Sequence, residues 1–203
     1  MQVSKPSADG WIGKRITNTF ENYQQQEYDK AISYVKEFRT GIDLGANIGV
    51  MSYRMVKDFK MVHSFEPLFS EHVRENVKAN NIHIYPYAVG DKEDTAIMRV
   101  GRYHCGGSNI VEKKKPDQEH KEVKVVTLDS FNFTDVDFIK IDVEHYEFQA
   151  LKGAYNTIKQ YKPTILLELK SDNPYYKSII AFLNELGYKR KIVGELDSVF
   201  YQA

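Results

Sequence analysis

The order of apolar segments restricts the fold of this chain more than any other feature. Short apolar runs of strand length alternate with segments whose apolar residues recur at helical spacing. The strand-length runs cover residues 41–44, 61–65, 82–89, 95–100, 123–128, 136–143, 163–169, 188–193 and 198–201. This alternation predicts an α/β protein with a mostly parallel sheet and helices on both of its faces. The last two runs follow Gly187 and predict a closing β-hairpin, which supplies one antiparallel strand.

A single domain fits the 203 residues of the chain. Residues 1–16 are expected to form a tail, and residues 17–38 a helix that covers the sheet or acts as a lid over a cleft. Residues 101–121 contain two adjacent glycines and a charged run, and we expect a mobile loop within a β excursion. Further helices are expected over 50–58, 70–80, 148–160 and 175–186.

The charge balance and the apolar content exclude several classes of protein. The 28 Lys and Arg residues match 28 Asp and Glu residues, whereas a nucleic-acid-binding protein usually carries a basic excess. No stretch reaches about 18 consecutive apolar residues, so no membrane span is expected, and the N-terminus does not resemble a signal peptide. The single cysteine, Cys105, cannot form an internal disulfide, which favours a cytoplasmic location. The oligomeric state is left open.

A glycine loop follows the first predicted strand and precedes a helix. Its sequence runs from Asp43 through Gly45, Ala46 and Asn47 to Gly49. Glycine lets a ligand approach the backbone, and free amides at a helix start favour an anionic group. The Gly-x-x-x-Gly spacing differs from the Gly-x-Gly-x-x-Gly of dinucleotide-binding proteins, and Asp43 suits an ammonium or sulfonium group better than a pyrophosphate. A tight turn that binds no ligand fits the same pattern.

Acidic residues also follow the next predicted strands. Glu66 ends the second strand, where a carboxylate can accept both hydroxyls of a ribose, and Pro67 fixes the turn after it. The third run ends at Ala88 and Val89, whose backbone could contact a purine edge. A glutamate before a proline also occurs as an ordinary helix N-terminal acid.

Three polar residues lie at the end of the strand predicted over 136–143. Asp142, Glu144 and His145 lie there, and two carboxylates beside an imidazole suit acid–base chemistry or a divalent metal. Lys140 within this strand is expected to pair with a carboxylate, and Glu168 is a further acid at a strand end. A solvated strand end is the alternative interpretation.

Together these motifs resemble the FkbM-type family of S-adenosylmethionine-dependent methyltransferases over roughly residues 40–169. The segments that carry the resemblance are 42–49, 64–67, 87–91, 126–131, 138–144, 151–154 and 163–168. The resemblance implies a Rossmann-like class I methyltransferase fold, with a seven-stranded sheet whose last hairpin supplies the antiparallel strand. It also implies S-adenosylmethionine as the cofactor and a hydroxyl of a sugar or other small molecule as the acceptor.

The resemblance also assigns roles to residues. Gly45, Ala46, Asn47 and Gly49 would hold the methionine end of the cofactor and Asp43 would lie near its ammonium or sulfonium. Glu66 beside Pro67 would bind the ribose, and the backbone of Ala88 and Val89 would contact the adenine. Asp142 would border the methyl group and the acceptor.

The position of His145 departs from the family pattern, which has glycine there. The base would therefore be Glu144 or His145. Ser108 and Asn109 resemble a small-residue loop of the family and have a weaker claim to a ligand contact.

Three alternatives stay open beside this interpretation. A nicotinamide oxidoreductase would use a similar sheet, but the dinucleotide glycine pattern is missing from the sequence. In a metal-dependent methyltransferase, Asp142 and Glu144 would hold magnesium together with Glu168 or His145. A non-catalytic module would bind S-adenosylmethionine without turnover. The preferred interpretation includes no metal.

Overall fold

The computed structural model describes residue 3, residues 22–101 and residues 107–202. Its main sheet has seven strands in the order β10-β11-β9-β8-β1-β2-β3. These strands are β1 Thr40–Leu44, β2 Met61–Phe65, β3 Ile82–Tyr85, β8 Val136–Ile141, β9 Thr164–Glu168, β10 Lys189–Ile192 and β11 Asp197–Tyr201. Strand β11 pairs antiparallel with β9 and β10, and the other pairs are parallel. The predicted parallel sheet with its closing hairpin is confirmed.

A second sheet of four strands lies beside the first and was not predicted as a separate sheet. Its strands are β4 Ala88–Val89, β5 Asp94–Arg99, β6 Asn109–Val111 and β7 His120–Val126, in the order β4-β7-β5-β6. The run expected as one strand over 82–89 divides at Pro86, because proline has no amide proton for a sheet hydrogen bond. Strand β6 also interrupts the loop expected over 101–121, of which residues 102–106 lie outside the described part.

Among the helices, the one predicted over 50–58 has the expected bounds, and the others differ from the prediction at their ends. The helices cover Gln25–Ile32, Val50–Asp58, Ser70–Asn76, Glu147–Gly153, Tyr155–Tyr161 and Tyr176–Glu185. The helix expected over 17–38 ends at Ile32, and residues 1–2 and 4–21 are not described. The helix expected over 148–160 divides at Ala154. Gly153 packs there against Gly90. An added Cβ on Gly153 would lie 1.8 Å from the carbonyl oxygen of Gly90.

Alternate residues of the central strands pack on opposite faces of the main sheet. One face contributes Ile139, Ile141 and Leu167 to a buried cluster with residues of the last three helices. On the other face, Phe138 and Leu166 pack with residues of the helices Gln25–Ile32 and Val50–Asp58. The first of these two helices therefore covers the sheet, and its role as a lid stays a prediction.

The edge strand β10 is more exposed than the buried strands at the centre of the main sheet. Within the part of the chain that the structure describes, strand β10 pairs only with β11, and it exposes Lys189 and Lys191. Among the described residues, no helix has the length and apolarity that crossing a membrane requires.

Candidate functional site

A cleft lies where the parallel strands end, which is the usual ligand position in an open α/β sheet. The residues that line it come from the ends of β1, β2 and β8 and from the second sheet. They are Leu44, Gly45, Asn47, Phe65, Glu66, Pro67, Phe69, Tyr87, Ala88, Val89, Met98, Ser108, Ile110, Asp142, Val143, Glu144 and Tyr146. Eight of the residues predicted from the sequence are among them: Gly45, Asn47, Glu66, Pro67, Ala88, Val89, Asp142 and Glu144.

The glycine loop is fixed by its neighbours on both sides. The amides of Gly45 and Ala46 donate to the carbonyl of Phe65 at 3.0 and 3.1 Å. Gly45 has a φ of +82°, and an added Cβ would lie 1.9 Å from the carbonyl oxygen of Asp142. Only glycine fits at this position, because the loop must contact the end of β8 directly.

Two residues of the glycine loop support the cleft from behind. Ala46 is 3% exposed and packs with Val73 and Val77. Gly49 begins the helix Val50–Asp58 at a φ of +93°, and its missing side chain gives space to the same two valines. Neither residue is among those that line the cleft, so both pack behind it in this structure, and their contacts with a ligand stay a prediction.

Glu66 has both carboxylate oxygens engaged by the backbone. Its Oε2 accepts from the amide of Asn47 at 2.9 Å, and its Oε1 accepts from the amides of Leu68 and Phe69 at 2.8 and 3.1 Å. Burial raises the pKa of Glu66 to about 7, although these three amides oppose the shift. The side chain lines the cleft and retains about one further acceptor position, since a carboxylate offers about four and the three amides occupy the others.

Asp43 lies behind the cleft, and its contact with a cationic ligand stays a prediction. Its side chain is fully buried, and its Oδ2 accepts from the Ser52 hydroxyl at 2.6 Å. Its Oδ1 lies 3.7 Å from the Nζ of Lys140. Burial raises the pKa of Asp43, and Lys140 opposes that shift. Asp43 therefore acts on the buried lysine, because its position within β1 directs the side chain into the protein.

Asp142 and Glu144 bring two carboxylates to the cleft from the end of β8. Glu144 accepts from Lys170 at 2.7 Å, and Lys170 also pairs with Glu168 at 3.0 Å. Burial raises the pKa of Glu144, with Asp142 adding to the shift and Lys170 opposing it. The pKa of Glu168 rises to about 8, through burial first and then through Asp142. Burial thus favours the protonated forms of Glu144 and Glu168.

His145 is exposed and does not line the cleft. Its φ is +70° and that of Glu144 is +47°, so two consecutive residues adopt a left-handed conformation. Its amide donates to Glu147 at 2.9 Å, which helps to hold this turn. The structure gives the prediction of His145 as a base no support, and the turn explains why glycine suits the position.

The apolar wall of the cleft includes residues that the sequence did not single out. Tyr87 and Tyr146 line it, together with Phe69 and Met98. Ser108, a weaker candidate for a ligand contact, also lines the cleft. The Oδ1 of Asn109 instead accepts a hydrogen bond from the Nε of Arg99 at 2.9 Å. Aromatic side chains at strand ends can pack in a core or line a cleft, so their spacing in the sequence does not predict which of them line this cleft.

The arrangement does not favour a metal site. Within residues 22–101 and 107–202, no group of three or more His, Cys, Asp or Glu residues is placed to hold a metal ion. Two of the acids proposed as ligands, Glu144 and Glu168, share Lys170 instead.

Comparison with protein families gives one match that covers most of the chain. The family model described as the methyltransferase FkbM domain matches residues 43–190. No curated protein matches the chain.

Several solved structures share the fold. A methyltransferase FkbM from Methylobacillus flagellatus KT is 20% identical with a TM-score of 0.57, over 94% of this chain and 52% of the other. This chain thus spans about half the length of that protein. A precorrin 8w decarboxylase from Methanobacterium thermoautotrophicum is 9% identical with a TM-score of 0.53, over 88% of this chain and 90% of the other. A TehB-like S-adenosylmethionine-dependent methyltransferase from Corynebacterium glutamicum is 10% identical with a TM-score of 0.53, over 95% of both chains.

Proposed function

Because this chain belongs to the FkbM family of S-adenosylmethionine-dependent methyltransferases, we propose that it methylates a hydroxyl group of a small molecule, such as a sugar. The observation that carries the proposal is the meeting of Gly45, Glu66 and Asp142 in one cleft at the carboxyl ends of three strands. When bound, S-adenosylmethionine supplies a methyl group that its sulfonium makes electrophilic.

The described residues of the cleft fit that cofactor chemically. The carboxylate of Glu66 has about one acceptor position left for a ribose hydroxyl, and the missing side chain of Gly45 lets the glycine loop lie directly against the end of β8. The backbone of Ala88 and Val89, with Tyr87 and Tyr146, offers an apolar wall for an adenine ring. Asp142 and Glu144 add negative charge that suits a cation. Asn47 would hold the methionine end together with Gly45.

Glu144 is the base in this proposal. It lines the cleft, and Lys170 fixes its carboxylate at 2.7 Å. Burial and Asp142 raise its pKa, which makes the carboxylate a stronger proton acceptor for a hydroxyl. Asp142 borders the same space and orients the acceptor. Correct placement of the two reactants supplies the larger part of catalysis, since it lowers the activation barrier of such reactions by roughly 7–11 kcal/mol.

A neutral, polyhydroxylated acceptor agrees best with the lining. Among the described residues of the cleft, the charged side chains are Glu66, Asp142 and Glu144, which accept hydrogen bonds from hydroxyls and repel anions. We therefore include sugars and exclude nucleic acid from the proposal.

The test is formation of S-adenosylhomocysteine by the purified chain with a panel of sugars and other polyols. We expect product only with hydroxyl-bearing acceptors, and mass spectrometry should locate the new methyl group on oxygen. Activity should persist with a metal chelator. Cofactor binding without turnover on any acceptor would favour a non-catalytic module instead, and loss of activity with the chelator would favour the metal-dependent alternative.

A further inference from the structure

Lys140 is a buried cation in the middle of the main sheet. Its side chain is 8% exposed, and its Nζ donates to the carbonyl oxygen of Gly45 at 3.1 Å. The same nitrogen lies 3.3 Å from Oδ2 of Asp142 and 3.7 Å from Oδ1 of Asp43. One ammonium group therefore contacts the glycine loop after β1 and the acid after β8.

The charge of Lys140 is retained because carboxylates surround it. Burial alone lowers the pKa of a lysine, but Asp142 and Asp43 outweigh that effect, and the pKa of Lys140 is raised. Glu168 at the end of β9 adds to the shift. The positive charge in turn favours the ionised forms of Glu66 after β2 and Asp197 in β11. Acids from five strands thus interact electrostatically with this lysine.

Direct contact between the two loops makes their positions interdependent. The amide of Asp142 donates to the carbonyl of Leu44 at 3.0 Å. A Cβ on Gly45 would lie 1.9 Å from the Asp142 oxygen, so no side chain separates the two segments. A shift of either loop consequently moves the other, and Lys140 lies beneath both.

We infer that Lys140 is a positioning residue for methyl transfer, which holds the cofactor loop at Gly45 and the carboxylate of Asp142 in one fixed arrangement. This inference rests on the proposed function, because the two loops border the donor and the acceptor in that proposal. A displacement of about 1 Å in such an arrangement can lower a rate roughly 100-fold. The lysine itself does not line the cleft.

The first measurement is hydrogen exchange by mass spectrometry on the wild type and Lys140→Met. Methionine keeps the length and apolar stem of the side chain but removes the ammonium group. We expect faster exchange in peptides covering 43–49 and 142–147, and unchanged exchange in the helix Tyr176–Glu185. A purely structural role would instead raise exchange throughout the domain, and that result would overturn the inference. So would wild-type exchange in both loops.

The second measurement is the affinity for S-adenosylhomocysteine by calorimetry. Lys140→Met should bind it about tenfold or more weakly, since a charged hydrogen bond to the loop is lost. Lys191→Met is the matched control, because it removes a strand lysine that faces solvent, and it should bind like the wild type. Wild-type affinity in Lys140→Met would overturn the inference.

A double variant covers the risk that Lys140→Met leaves Asp43 as an unpaired buried charge. Asp43→Asn with Lys140→Met removes both charges and should fold, yet show the same fast loops and weak binding. Failure of both variants to fold would overturn the inference, because the lysine would then serve the core alone. Absence of binding by the wild type would refute the proposed function, and the exchange data would still decide whether Lys140 couples the loops.

Discussion

The backbone amide of Asn47 donates to Oε2 of Glu66 at 2.9 Å, which joins the loop after β1 to the end of β2. This bond places the acid beside the glycine loop, and the other carboxylate oxygen accepts from two further amides. The carboxylate thus organises the turn and also presents about one remaining acceptor position to the cleft.

Replacement of Glu66 by glutamine should weaken cofactor binding. An amide group in place of one oxygen would face a backbone N–H, and a charged hydrogen bond to the ribose would be lost. We expect about a 10- to 100-fold lower affinity for S-adenosylmethionine, equivalent to roughly 1.5–3 kcal/mol. Calorimetry measures the change, with the exposed Glu71→Gln as the control. Unchanged affinity in Glu66→Gln would remove this residue from the ribose role.

Exchange of Glu144 for glutamine should reduce turnover and leave cofactor binding nearly intact. The amide keeps the shape of the side chain but cannot take a proton from the acceptor hydroxyl. A loss of about 10²–10⁴-fold in kcat is expected for removal of a general base. The assay is formation of S-adenosylhomocysteine with the acceptor found in the panel. A variant that turns over at the wild-type rate would show that the base lies elsewhere.

His145→Gly should stabilise the protein or leave its stability unchanged, and it should retain activity. The histidine holds a φ of +70°, which costs a non-glycine residue roughly 1–2 kcal/mol. Glycine removes this strain at the cost of a more flexible unfolded chain. Thermal unfolding and the turnover assay together decide the outcome. If activity disappears while the melting temperature holds, His145 takes part in catalysis.

Gly45→Ala and Gly187→Ala form a matched pair. Both glycines have nearly the same φ, +82° and +84°, so both substitutions carry similar backbone strain. An added Cβ would lie 1.9 Å from a backbone oxygen at Gly45, whereas at Gly187 the nearest atom is a side-chain oxygen at 3.5 Å. We expect a larger drop in melting temperature for Gly45→Ala, and loss of cofactor binding for that variant alone. Equal effects would mean that the close contact with Asp142 contributes little.

The free energy of unfolding of the ligand-free protein should fall as the pH rises from 6.5 to 8. Burial raises the pKa of Glu66 to about 7 and that of Glu168 to about 8, with Asp142 adding to the latter. In the unfolded chain these groups titrate near 4.3. The folded protein therefore holds protons in this window that the unfolded chain has already lost, and stability decreases with pH.

Denaturant unfolding at several pH values measures this slope, and Glu168→Gln should flatten it. His63 opposes this trend near the lower end of the window, because burial and then His83 lower its pKa to about 4 in the folded protein, whereas the unfolded histidine titrates at about 6.5. A stability that rises between pH 6.5 and 8 would contradict the raised pKa values.

The sequence predicts the main sheet well because strand-length apolar runs report burial on both faces. It predicts the second sheet poorly, since the division at Pro86 sends Ala88 into a different sheet, and no local pattern reports that change of partner. Helix ends are also missed, as at Ala154, where the close packing of Gly153 on Gly90 sets the boundary.

The two strand-end acids illustrate the same limit within the site. Glu66 follows the last residue of β2 and lines the cleft, whereas Asp43 lies inside β1 and turns into the core. Because Asp43 pairs with Ser64, Glu66 lies two positions further along the strand direction, and this difference decides whether the carboxylate reaches the cleft. Residues such as Tyr87 and Tyr146 come together only through tertiary contacts, so a single sequence gives them no distinguishing signal.

The exposed lysines of β10 have a consequence for how this protein behaves when it is concentrated. An open strand offers unpaired amides and carbonyls to any extended segment that approaches it. A second β10 strand would bring Lys189 and Lys191 against the same charges, and like charges on neighbouring strands repel. The boundary strand thereby discourages edge-to-edge polymerisation, and neutralising both lysines would turn it into a template for aggregation.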